Sequence, residues 1–296
     1  MSCYHPIPAD QAEKGEPVKL WPPLGETSLW LPCGNCLGCR SSHATAWARR
    51  AQHEASLHPH NTFATLTYSD TELPKDEALQ PGHLVNFIKR LRQRMARRDP
   101  ALRRTDTNRL RYLGAGEYGE NRGRPHYHIL LFGCGFADLY KGLGNRTKSK
   151  LLDELWTHGD HDLGEVTGAS ANYVAQYTMK KIGTRSWCNK HGEIIQPPFL
   201  RMSTKPAIGD RWIQKYYKDL THGYLVDNGT KGKIPRRYKL KLREFDQQLA
   251  EISEESAALA PRTDKERLRD AEIIHQHVVN QRGRRPLDTS TQRGHT

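Results

Sequence analysis

At 296 residues the chain has room for one large domain or two modest ones, and 46 lysines and arginines against 33 aspartates and glutamates leave a net charge of +13. That excess points to a polyanionic partner. A hydrophobic share of 36% and a mean hydropathy of -0.81 describe a core with solvated extensions. The N-terminal stretch lacks a basic segment followed by an apolar one, and nowhere do eighteen apolar residues run together, so secretion, membrane spanning and a membrane partner are not expected, and a cytoplasmic location is.

Three cysteines packed into seven positions, Cys33, Cys36 and Cys39, suit metal ligation in a reducing compartment better than a disulfide framework. A closed tetrahedral zinc site needs a fourth ligand. Cys3 is the nearest candidate, with His5 and His43 as substitutes and an iron–sulfur cluster as the runner-up. The expected zinc is structural, tying the N-terminal segment to the helix after Arg40, while Cys134 and Cys188 read as plain thiols. Residues 41–57, free of Gly and Pro, read as that helix, and 62–68, rich in β-branched and aromatic residues, as a strand.

From 82 to 98 the apolar positions Leu84, Ile88, Leu91 and Met95 define an amphipathic helix whose remaining surface carries Lys89, Arg90, Arg92, Arg94, Arg97 and Arg98. Residues 109–116 and 126–132 read as an antiparallel hairpin joined by the Gly-rich connection 119–125. A helix over 148–157, a strand over 161–166 and a helix over 170–181 capped by Ser170 follow. The order β-α-β-β-α-β and then a helix predicts an α+β fold of the ferredoxin-like, split βαβ kind: a central antiparallel sheet flanked by helices. Before it stands the Cys-rich zinc module with its helix (1–60), around it the core (61–183), and after it a basic C-terminal extension (184–245) and a polar, helical or disordered tail (246–296).

His126 and His128, two apart on a strand, project from one face while Tyr127 points to the other. Glu117, on or just past the neighbouring strand, adds a carboxylate, giving two imidazoles and one carboxylate with positions open for water and substrate. His58-Pro59-His60 repeats the spacing, but a proline breaks the strand and no apolar run follows. On the last core helix Tyr173 and Tyr177 share a face at i, i+4, with Lys180 along the same stripe. A phenol has a pKa near ~10 and must lose its proton to attack phosphorus, which a neighbouring ammonium favours. In a chain at +13 these elements suit tyrosine attack on a metal-polarised DNA phosphodiester. Ten Lys/Arg between Lys89 and Arg111 face only Asp99 and Asp106, so the arginine-rich helix (Arg90, Arg94, Arg97, Arg98), with Arg124, is the candidate phosphate-binding surface.

Thr65-Leu-Thr-Tyr68, Gly116-Glu-Tyr-Gly119, Gly123-Arg-Pro-His-Tyr-His128 and Tyr173-x-x-x-Tyr177-x-x-Lys180 resemble the ordered motifs of the His-hydrophobic-His (HUH) rolling-circle replication endonucleases. With the N-terminal Cys-Gly-x-Cys-x-x-Cys-Arg, residues 1–183 resemble the two-tyrosine replication initiators of microviruses, the small single-stranded DNA phages. Tyr127, amphipathic rather than aliphatic, departs from the pattern. The resemblance implies origin-specific nicking with Mg²⁺ or Mn²⁺, a covalent 5′-phosphotyrosine link, and strand joining by transesterification. It also implies viral origin DNA, a host helicase and a host polymerase as partners, in the host bacterial cytoplasm. The residues by themselves leave open a noncatalytic zinc-containing DNA-binding or packaging protein, and a plasmid initiator or transposase with the same chemistry.

Overall fold

A computed structural model of the chain describes residues 3–11, 17–23, 29–98, 109–119, 123–177, 187–189, 192–220, 222–227 and 229–248, with 251, 269, 271–274 and 276 near the C-terminus. Two compact units emerge, residues 1–42 with 259–296, and residues 43–258. The expected tail beyond 276 lies outside the described residues. Among the described residues no helix is long and apolar enough to cross a membrane.

In the first unit β1 (Ile7–Asp10), β2 (Lys19–Leu20) and β3 (Leu29–Leu31) form an antiparallel sheet in the order β2-β1-β3. There α1 (Leu37–Ala55) also begins, four residues earlier than its composition predicts. The reason is local: the Cys36 sulfur accepts the Cys39 N–H at 3.4 Å, doing for this helix what a serine oxygen does at an ordinary N-cap.

The second unit is built on β4 (Asn61–Tyr68), α2 (Pro81–Arg98), β5 (Arg111–Tyr118) and β6 (Pro125–Phe132). The short pair β7 (Leu139–Lys141) and β8 (Thr147–Ser149) leads into α3 (Lys150–Leu155), β9 (Gly159–Glu165) and α4 (Gly168–Tyr177). Then come β10 (Trp187–Cys188) paired with β11 (Ile194–Ile195), β12 (Phe199–Met202) and α5 (Asp210–Tyr216). The pair β13 (Leu225–Asp227) and β14 (Thr230–Gly232) precedes α6 (Arg236–Phe245). The fold is α+β, and its five-stranded antiparallel sheet runs β12-β5-β6-β4-β9.

Both faces of this sheet are covered, and strand parity decides what each receives. On one side Leu66, Tyr127, Ile129 and Leu131 meet Leu84, Phe87, Ile88 and Leu91 of α2 and Leu151, Leu152 and Leu155 of α3. On the other, Leu113, Ala115, Leu130 and Phe132 meet Ala44, Ala48 and Ala51 of α1 and Ala171, Val174 and Ala175 of α4. The alanines let these two helices lie close to the strands. Ser170 does not cap α4 as predicted but sits inside it. Thr167 is the cap: its N–H donates to Ser170 Oγ at 2.8 Å while the Ser170 N–H donates to Thr167 Oγ1 at 3.2 Å, a reciprocal capping box.

The segment after 184 contributes an unpredicted strand. β12 pairs with the outer edge of β5 (Leu200 opposite Ala115, Met202 opposite Leu113), and α5 and α6 build a small core around Ile213, Leu220, Tyr238 and Leu242. Glu54, fully buried on α1, joins these parts: Oε1 accepts from Arg111 Nε of β5, and Oε2 accepts the Gly209 N–H at 2.7 Å. Gly209 holds φ at +81°, a backbone that favours glycine. Burial alone would push the Glu54 carboxyl up; bonds from His58 and Arg111 outweigh it and hold the group below its ordinary value.

Glu54→Ala leaves Arg111 buried without its anion and is expected to cost about 3–5 kcal/mol in denaturant unfolding. Because the folded pKa is depressed, this carboxylate's stabilisation is present above the unfolded value of about 4.3 and is lost as pH falls through the lower folded value. Unfolding curves across an acid series are expected to show that dependence in the native chain and its reduction in Glu54→Gln.

Candidate functional site

The β4-β6-β5 register brings three potential ligands together. Glu117 lies directly opposite His126 in the β5–β6 ladder, and His128 is the next residue on the same face of β6. Glu117 Oε1 stands 2.7 Å from His126 Nε2 and 2.8 Å from His128 Nε2. Glu117 and His128 are buried and His126 is partly so. The donor atoms of the three lie within 4.8 Å of one another.

The chemistry of this set fits a divalent cation. His126 Nδ1 donates to the Arg124 carbonyl at 3.1 Å, and since a carbonyl can only accept, the neutral ring presents a lone pair at Nε2. That lone pair faces a carboxylate oxygen, an arrangement that calls for a cation or a second proton between them. Glu117 Oε2 is buried with no hydrogen-bond partner, a second unsatisfied acceptor at the same place. Burial raises the Glu117 carboxyl, but its bonds to His126 and His128 prevail and hold it below the usual range; burial holds His128 below the usual imidazole value. An ionised carboxylate beside a neutral imidazole is the ligand form.

Tyr173 of α4 reaches this cluster. Its hydroxyl is 3.4 Å from His128 Nε2, and its ring stands edge-on to His128, centroids 4.9 Å apart at 83°. Phe63 lies nearly parallel to the His128 ring at 5.7 Å and edge-on to Tyr173. The side chain of Tyr177 and all of Lys180 lie outside the described residues. Tyr127 faces away from the histidines: it is fully buried on the α2 side, its hydroxyl 2.6 Å from Tyr68 Oη, donating to the Gln80 carbonyl at 3.0 Å. Burial pushes its phenol up, the wrong direction for a nucleophile.

The basic positions separate. α2 packs on the Tyr127 face, so Arg90, Arg94 and Arg97 lie on the opposite side of the sheet from Glu117, His126 and His128. Arg90 Nε donates to the Leu155 carbonyl at 3.1 Å, Arg94 pairs with Glu154, Arg97 is exposed, and the Arg98 side chain is outside the described set. Arg124 borders the site two residues before His126, pairing with Asp70 and donating to the Tyr68 carbonyl at 3.0 Å. Sequence reading assigned no role to Phe63 or Thr65. Alternation along β4 is the signal that puts both on the histidine side, with Thr65 opposite His128.

In the first unit Cys3, Cys33, Cys36 and Cys39 bring their sulfurs within 4.8 Å of one another, so Cys3 joins the run rather than His5 or His43. Backbone N–H groups point at the sulfurs: Cys33 N–H to Cys3 at 3.2 Å, Cys36 N–H to Cys33 at 3.3 Å, and Tyr4 N–H to Cys36 at 3.3 Å. Burial raises Cys36, but the Tyr4 and Cys39 N–H groups bring it down to about 7, toward the thiolate that binds metal. Burial pushes Cys3 and Cys39 up. The four sulfurs fit a metal ion.

A family model for replication-associated proteins of the ORF2 type matches residues 61–182. The chain is 35% identical to replication-associated protein VP4 of Bdellovibrio phage phiMH2K, covering 90% of this chain and 87% of that protein. It belongs to the microvirus-type replication initiators. Replication-associated protein ORF2 of Spiroplasma virus 4 is 32% identical, covering 89% of this chain and 88% of its own length. ORF4 of Chlamydia phage 1, also a replication-associated protein, is 30% identical over 77% of this chain and 57% of its own. No solved structure gives a significant match. The initiator's family-matched segment contains every member of the Glu117–His126–His128 cluster and Tyr173.

Protons and cations compete for these ligands. Mn²⁺ affinity, measured by isothermal titration, is expected to fall on acidification below the ordinary imidazole value of about 6.5, by about tenfold per pH unit for each ligand that must deprotonate.

Proposed function

We propose that the protein is an origin-specific, metal-dependent DNA nickase and strand transferase of the HUH class that starts and ends rolling-circle replication of a phage genome. The observation that carries this reading is the Tyr173 hydroxyl at 3.4 Å from His128, beside a buried Glu/His/His cluster. The strand order β5-β6-β4-β9, with α2 between β4 and β5 and α3 between β6 and β9, supports the ferredoxin-like form of the fold, with 61–183 as the nickase core.

Glu117, His126 and His128 would hold Mg²⁺ or Mn²⁺, which supplies Lewis-acid polarisation of a phosphate oxygen. Tyr173 attacks phosphorus with its phenolate oxygen: the Tyr–O–P bond forms, the P–O3′ bond breaks, and the 3′-oxygen takes a proton to leave as a free hydroxyl for the host polymerase. The phenolic proton passes to solvent. The 5′-phosphotyrosine keeps a phosphodiester, so a later 3′-hydroxyl attack rejoins the strand without ATP. Tyr177, four residues on along the same helix, serves as the second nucleophile of a replication round, and Lys180 favours the phenolate. Arg124, beside His126, is the best placed of the arginines to meet the scissile strand; Arg90, Arg94, Arg97 and Arg98 add sequence-independent affinity away from the cut. The four cysteines hold a structural Zn²⁺. Work takes place in the host bacterial cytoplasm with a host helicase.

Denaturing electrophoresis after incubation with origin single strand and Mn²⁺ tests the reading. A covalent protein–DNA band is expected for the native chain and for Tyr127→Phe, and none for Tyr173→Phe combined with Tyr177→Phe. An adduct in the double variant would sink the nucleophile assignment, and no adduct in the native chain with any divalent metal would sink the enzyme. His126→Ala with His128→Ala is expected to lower nicking by at least the ~100-fold typical of losing an outer-shell partner, with salt-dependent DNA binding retained. Cys36→Ser is expected to release zinc and lower the melting temperature; absence of zinc from the native chain by elemental analysis would end that assignment.

A further inference from the structure

We propose that Thr65 is a positioning residue for the divalent-ion site: its hydroxyl, 3.0 Å from His128 Nδ1, orients that ring and serves it both with and without the ion. The inference rests on the metal reading above.

Thr65 stands directly across the β4–β6 ladder from His128, so its side chain reaches the same face beside the ring. The imidazole is confined on its other sides. Phe63 lies parallel to it at 15°, Tyr173 is edge-on at 83°, and His126 is edge-on at 89° with centroids 4.9 Å apart. With the ring plane set, the location of its proton is the remaining variable.

The two histidines differ on this point. His126 Nδ1 meets a backbone carbonyl, which accepts only, so that ring is fixed with its Nε2 lone pair toward Glu117. His128 Nδ1 meets a hydroxyl, which can accept or donate. Without an ion, a proton on His128 Nε2 satisfies Glu117 Oε1 at 2.8 Å, and the Thr65 O–H donates to Nδ1. With an ion at Nε2, the ring proton sits on Nδ1 and Thr65 Oγ1 accepts it. One hydroxyl rotation replaces any movement of the ring. A carbonyl at this position would leave Glu117 Oε1 facing two lone pairs whenever the ion is absent, a buried arrangement that costs free energy.

Thr65→Val keeps the β-branched shape and removes the hydroxyl, whereas Thr65→Ser keeps the hydroxyl. Titration with Mn²⁺ is expected to show Kd weakened about 10- to 100-fold in Thr65→Val, the range for outer-shell partners, and restored to within about threefold of native in Thr65→Ser. Thermal melts of the same samples check folding. In the native chain saturated with Mg²⁺, ¹⁵N-histidine spectra are expected to show His128 protonated at Nδ1. Native Mn²⁺ affinity in a folded Thr65→Val, no recovery in Thr65→Ser, or a proton on His128 Nε2 at saturating Mg²⁺ would each overturn the proposal while leaving the metal site standing. If the native chain takes up no Mn²⁺, or His128→Ala leaves uptake unchanged, the metal reading fails and this proposal with it.

Discussion

Strand register across β5, β6 and β4 is the constraint on which the site depends. Side chains alternate with a period of two, so a one-residue slip of β6 would send His126 and His128 to the α2 side and turn Tyr127 toward Tyr173. The apolar residues resist that slip. β6 buries Tyr127, Ile129 and Leu131 on one face and Leu130 and Phe132 on the other, each such side chain contributing roughly 1.5–3 kcal/mol of burial. Tightly packed apolar neighbours therefore fix the geometry of a polar cluster that by itself would be costly to bury.

What could be read ahead of the structure follows from where the pattern is strong. The period-two run of β4, the apolar stripe of α2 and the β5–β6 hairpin carry their own periodicity, and the structure has them within two residues of the expected bounds. The starts of α1 and α4 were misplaced because their caps use unusual chemistry, a cysteine sulfur in one and a Thr167–Ser170 exchange in the other. β12 follows two prolines and has little periodicity of its own; pairing with the open edge of β5 makes it a strand. His126, His128 and Glu117 could be found from spacing alone, whereas Thr65 could not, since hydroxyls are common in strands and only the cross-strand neighbour gives this one meaning. Charge was the least informative signal: it counts arginines but does not reveal that Arg90 and Arg94 already have partners within the fold.

The two candidate metal clusters also contrast in chemistry. Four sulfurs, several of them receiving backbone N–H groups, form a soft and closed set of the kind that holds an ion for structural reasons. One carboxylate and two imidazoles form a harder set with fewer donors, leaving coordination positions for water or a phosphate oxygen. The donor atoms thus separate a scaffold from a place where chemistry can occur.

The capping box at the start of α4 bears on how this helix can change over evolution. Tyr173 lies six residues past Thr167, and each helical residue advances the side chain by about 100° and 1.5 Å. Inserting or deleting a single residue between them would rotate the phenol away from the cluster, while a change of three or four residues would return it to nearly the same bearing, one turn displaced. The helix is therefore tolerant of substitution along its outer surface yet intolerant of small length changes, and among its relatives the spacing from cap to tyrosine should vary far less than the residues between.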